Sequence, residues 1–161
     1  MLTIIGCGNL NRSDDAVGAI ASQRLQQFLQ QHPNSQVRVY DLGTAGMEVM
    51  FQAKGAEELI IIDGCSTGSE PGTIFQVPGK ELEELPEPSY SLHDFRWHHA
   101  LAAGRKIFAD DFPNEITVYL IELANLDFGW ELSLPVQKAV DLVVRDLQQL
   151  CLTKRKCSPP S

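Results

Sequence analysis

No stretch of this 161-residue chain stays apolar long enough to cross a bilayer as a helix. Basic charge is scarce: Lys+Arg 13 against Asp+Glu 21 gives a formal net charge of -8, which argues against nucleic acid or an anionic membrane as a partner. The four cysteines, Cys7, Cys65, Cys151 and Cys157, fit neither a disulfide framework nor a Cys-x-x-Cys metal site. The N-terminal "MLTIIGCGN" has no basic region or cleavage site, so the expectation is a cytoplasmic protein with free thiols. No internal repeat is present. A Ser-His-Asp order and a His-Glu-x-x-His motif are both missing, which removes two common protease chemistries. "GCGN" is half of a dinucleotide fingerprint, but no glycine completes it at Arg12 or nearby, so a nucleotide-binding module is disfavoured.

What is present is an alternation of strand and helix patterns. Strands are expected at 2–6, 36–41, 58–63, 72–78 and 116–123. "ELIIID" is continuously apolar, as in a central parallel strand covered on both faces. Helical stripes start at Val17, within 43–55, along Trp97, Ala100, Leu101, Gly104, Ile107 and Phe108, and over 134–150. The pattern predicts an α/β domain over 1–152: a three-layer α/β/α sandwich with a twisted, mainly parallel five-stranded sheet and helices on both faces. The fourth strand is expected to run antiparallel, because only a short loop precedes it. The acidic, proline-rich 79–90 reads as a solvated loop and 153–161 as a disordered tail.

Chemistry concentrates where strands end. Asp14 and Asp15 follow the first strand and open the first helix; Asp63 ends the third. In an open α/β sheet, ligands bind at the carboxyl ends of the strands. One of the adjacent aspartates, Asp14, or Ser13 before it, is expected to cap the first helix. The other is surplus to the cap and approaches Asp63, and two carboxylates in one cleft call for a proton or a cation. His93 lies four residues before Trp97 and extends that inward stripe, whereas His98 and His99 fall off it and read as solvated. Two carboxylates and an imidazole suit a divalent transition metal with open positions. Cys7 and Cys65 flank the same edge and read as small buried apolar residues rather than nucleophiles.

The turn "GCGNLNRSDDAVG", the segment "DLGTAGMEVM" at 41–50, the strand "IIIDG" at 60–64 and "SLH" at 91–93, in this order and spacing, resemble the endopeptidases that mature the large subunit of nickel-iron hydrogenases. The resemblance implies a cytoplasmic monomer that makes one cut, removing a C-terminal extension from the large-subunit precursor. It implies that Asp15, Asp63 and His93 are the catalytic and metal-contacting residues, and that Gly8, Asn9, Asp41, Gly43 and Thr44 bind the substrate. Leu42 replaces the first glycine of the family's D-G-G-T loop. The implied metal is nickel supplied by the precursor, for which other divalent transition metals can substitute. A nickel-binding maturation chaperone with the same site but no cleavage is the alternative reading.

Overall fold

A computed structural model describes residues 1–8, 13–83, 97–124 and 131–154. Five strands form one sheet: β1 (Leu2–Cys7), β2 (Val37–Gly43), β3 (Glu58–Cys65), β4 (Ile74–Pro78) and β5 (Glu115–Glu122), in the order β2-β1-β3-β5-β4. All pairs are parallel except β4 with β5. The eight residues between β3 and β4 are too few for a crossover, so the chain returns antiparallel, as expected. The helices are α1 (Val17–Gln31), α2 (Glu48–Ala53), α3 (Gly79–Glu83), α4 (Trp97–Phe108) and α5 (Leu134–Thr153).

Strand residues alternate between two apolar layers, as the pleat requires. Ile4, Ile60, Ile62 and Ile121 pack with α1 and α5, through Val17, Leu25, Val140 and Leu147. Ile5, Leu59, Ile61 and Val118 pack on the other face with α2 and α4, through Val49, Ala53, Ala100 and Leu101. Every residue of β1 is buried, which fits its central place and its unbroken apolar run.

The seam between β1 and α1 is set by two glycines. A methyl group on Gly18 would lie 1.9 Å from the Cys7 carbonyl oxygen and 2.4 Å from that of Ile62. A methyl on Gly6 would lie 2.0 Å from the Gly18 carbonyl oxygen. These neighbours are backbone atoms and cannot turn aside, so the helix starts directly over the carboxyl ends of β1 and β3. That position is also the switch point of the sheet. From β1 the chain passes through α1 to β2 on one side, while β3 lies on the other. The two connections diverge and leave a crevice between the strand ends.

The strand ends fall within two residues of the sequence reading, and differences from it also arise at 79–90 and at the end of α5. β3 continues two residues past Asp63, because Gly64 and Cys65 pair with Ile121 and Glu122 of β5. A glycine at a strand end looks like a stop in sequence, but here it leaves room for the Leu123 side chain. The start of 79–90 is helical rather than loop: Leu82 packs on the core, and Glu83 holds Arg105 through paired bonds of 3.0 and 2.9 Å. The remainder of that segment, 84–90, lies outside the described residues, as does the tail from 155 on. α5 reaches Thr153, one residue into the stretch expected to be disordered. Among the described residues, no helix is long and apolar enough to cross a membrane.

Gly18→Ala tests the seam. Overpacking against fixed backbone is expected to cost about 3 kcal/mol, measured by equilibrium denaturation.

Candidate active site

The crevice is built on Gly8, directly after β1. Its φ of +139° is a conformation side chains rarely adopt. A methyl there would sit 2.1 Å from the Asp15 carbonyl oxygen and 3.9 Å from Asp63 Oδ1. Gly8 therefore lies between the turn that carries Asp15 and the strand that carries Asp63, and the two acidic positions meet across it. Its own N–H donates to the Gly43 carbonyl at 2.9 Å, which brings the end of β2 to the same point. Gly43 is left-handed, with φ of +54°. Asp41 braces it, accepting from the Gly43 N–H at 3.2 Å and from the Gln23 amide at 3.0 Å. Leu42, in place of the family's glycine, turns toward the core layer of α2 and α4. Thr44 is exposed at the rim.

Asp63 is half-buried on the α2/α4 face of the sheet, sharing that face with Ile61 by alternation. Its Oδ1 accepts from the Gly64 N–H at 2.8 Å, and its Oδ2 accepts from the Trp97 indole N–H at 2.7 Å. Both donors are neutral, so they orient the carboxylate without cancelling its charge. The charge at this edge registers on Cys7: burial pushes its thiol well above the ordinary range, and Asp63 and Asp41 push it further.

Asp14 departs from the expected cap. α1 begins from Ala16 with no side-chain cap, and Asp14 is fully buried facing the β5–α5 connection. Its Oδ2 accepts from the Ala124 N–H and the Ser133 hydroxyl, both at 2.9 Å, and its Oδ1 accepts from the Ser133 N–H at 2.7 Å. The turn at 13–16 is 3-10, so Asp14 points away from the helix start and ties two distant connections together. His98 and His99 are half-buried rather than solvated; their rings lie 3.9 Å apart, and His98 stands edge-on to Trp97. Among the described residues, no three His, Cys, Asp or Glu side chains are grouped closely enough to hold a metal ion. Asn9 and His93 lie outside the described residues.

Glu122 carries no sequence signal, standing in a strand that reads as plain β pattern, yet it organises the neighbouring loop. It is 2% exposed and accepts from the Thr67 N–H at 2.8 Å, the Thr67 hydroxyl at 2.7 Å, the Gly68 N–H at 3.1 Å and the Cys65 thiol at 3.3 Å. Burial alone would raise its pKa, but these donors outweigh it and hold the carboxyl below the usual range. The pairing fixes Cys65 in turn: burial, then the bond to Glu122, push its thiol up to about 12. A thiol protonated at neutral pH is a poor nucleophile.

Two measurements probe these assignments. Asp14→Asn removes a charge saturated by three donors and is expected to cost about 2 kcal/mol in equilibrium denaturation. In the metal-free protein, iodoacetamide at pH 8 should label Cys65 far more slowly than it labels the denatured chain, and Glu122→Gln should narrow the gap, since it removes the charge that opposes the thiolate.

Comparison with known proteins agrees with this architecture. The family model described as hydrogenase maturation protease matches residues 21–149. The hydrogenase 2 maturation protease of Escherichia coli (strain K12) is 30% identical over 120 residues, covering 73% of this chain and 70% of that protein. The hydrogenase expression/formation protein HupD of Thiocapsa roseopersicina is 26% identical over 161 residues, covering 96% of this chain and 71% of that protein. The fold matches the hydrogenase maturating endopeptidase HybD from E. coli, with a TM-score of 0.77 at 23% identity over 95% of this chain and 93% of that one. The [NiFe] hydrogenase maturation protease HybD from Thermococcus kodakarensis superposes with a TM-score of 0.71 at 25% identity, over 93% of this chain and 98% of that one. With four-fifths of its length inside the family model and a relative at 30% identity, this chain belongs to the hydrogenase maturation protease family.

Proposed function

We propose that this endopeptidase removes the C-terminal extension of a nickel-iron hydrogenase large-subunit precursor after nickel insertion, and that its cleft recognises the nickel the precursor carries. The observation behind this reading is the meeting of Asp15 and Asp63 across Gly8, with Asp63 oriented by neutral N–H donors. A carboxylate fixed in direction by neutral donors is suited to a cation.

In this reading Asp15, Asp63 and His93 contact the ion and act in catalysis. The precursor's own cysteines and water fill the other positions. Gly8, Asn9, Asp41, Gly43 and Thr44 form the substrate-binding wall. Nickel is then part of the substrate rather than a resident cofactor. A bound divalent metal polarises a scissile carbonyl or activates a water. The enzyme works as a cytoplasmic monomer, and choice of client falls to the 79–90 segment and the residues around Phe128 and Trp130, since loops carry specificity.

The test is incubation with metal-free and nickel-loaded precursor, followed by mass measurement. The expected outcome is loss of the extension from the nickel-loaded form alone. Retention of the extension in both forms favours the chaperone, and efficient cutting of the metal-free form overturns nickel recognition. Among variants, Asp15→Ala and Asp63→Ala should lose more cleavage than His93→Ala, because each deletes a charge facing the ion whereas the imidazole ligand is neutral.

A further inference from the structure

The indole of Trp97 does more than fill the core. Trp97 is the first residue of α4 and is 8% exposed, packed among the α2/α4 layer. Apolar contact alone would be satisfied by any large side chain at that point. Its Nε1–H, however, donates to Asp63 Oδ2 at 2.7 Å, a short bond for a neutral donor. The other oxygen of the same carboxylate accepts from Gly64 at 2.8 Å. The two bonds approach from different directions, one from the strand itself and one from the helix packed across it, so together they fix the rotation of the carboxylate plane.

The consequence is chemical. Each oxygen of the carboxylate gives one of its lone-pair directions to an N–H, so the group meets an ion only through the directions left over and from one fixed orientation. A neutral indole achieves this without bringing a positive charge that would compete with the cation, as a lysine or arginine would. The bond also ties the first turn of α4, four residues after His93, to the strand end that carries Asp63. Helix and strand are thereby held in one arrangement.

We propose that Trp97 is a positioning residue that holds the Asp63 carboxylate in one orientation toward the nickel of the precursor. This rests on the reading that Asp63 contacts that nickel. Trp97→Phe keeps a large ring in the core and removes only the donor. With nickel-loaded precursor, it should raise KM about tenfold while kcat changes by less than about threefold, the size of effect expected when the partner of a metal ligand is removed. Thermal unfolding should stay cooperative. A second readout follows the indole itself. In two-dimensional NMR of tryptophan side-chain N–H groups, the one resonance left in Trp130→Phe, the other of the chain's two tryptophans, identifies Trp97. That resonance should move upfield in Asp63→Ala and should broaden when paramagnetic nickel ion is added to the wild type. Wild-type KM in a folded Trp97→Phe variant, with Asp63→Ala inactive, overturns the positioning role alone. Full activity of Asp63→Ala overturns both this role and the reading beneath it. Should Trp97→Phe fail to fold, an indole resonance unmoved by Asp63→Ala overturns the proposal, and the upfield move supports it.

Discussion

The contact between Gly18 and the carbonyl oxygens of Cys7 and Ile62 fixes the rest of the molecule. Because no Cβ stands between them, α1 begins against the backbone of two neighbouring parallel strands at their carboxyl ends. The short turn before it must then cross directly over Gly8, carrying Asp15 beside the strand end that holds Asp63. The same closeness drives Asp14 inward, where it reaches Ala124 and Ser133 and ties the β5–α5 connection to the turn after β1. One backbone approach thus assembles elements more than a hundred residues apart.

Three carboxylates on this edge have different surroundings, and the differences separate structural work from chemistry. Asp14 and Glu122 are buried and each is saturated by backbone and side-chain donors from loops. Burial makes such saturation obligatory, since a charge without donors in the interior costs several kcal/mol, on the order of the whole stability of a small domain. Both therefore act as loop anchors. Asp63 is half-buried at the crevice, and the N–H groups of Gly64 and Trp97 on its two oxygens orient it.

The thiols follow from the same field. Cys7 and Cys65 stand next to carboxylates and in apolar surroundings, and both influences favour the protonated form. The edge is thus negative in potential and poor in thiolate, a setting that attracts cations while leaving its own sulfur chemically quiet.

Much of this was legible in the chain. Periodicity identifies five strands and the α1, α2, α4 and α5 patterns, because each buries one face against a neighbour and the apolar spacing records which face. The short β3–β4 loop reveals the antiparallel return, and the order of acidic residues after strand ends marks the crevice. The Leu82 and Glu83 contacts that make α3 a helix rather than a loop were not legible, because their partners, the core and Arg105, lie elsewhere in the sequence. The loop-anchoring role of Asp14 was not legible either, and a helix cap was expected in its place. An aspartate just before a helix carries a cap signal, and only the 3-10 geometry of the turn sends Asp14 inward to Ser133. Glu122 and Trp97 read as ordinary strand and core positions, since their hydrogen bonds run to residues 55 and 34 positions away. Local pattern determines the elements because it reports burial. Tertiary structure decides which polar groups meet, because hydrogen bonds form between atoms close in space whatever their separation along the chain.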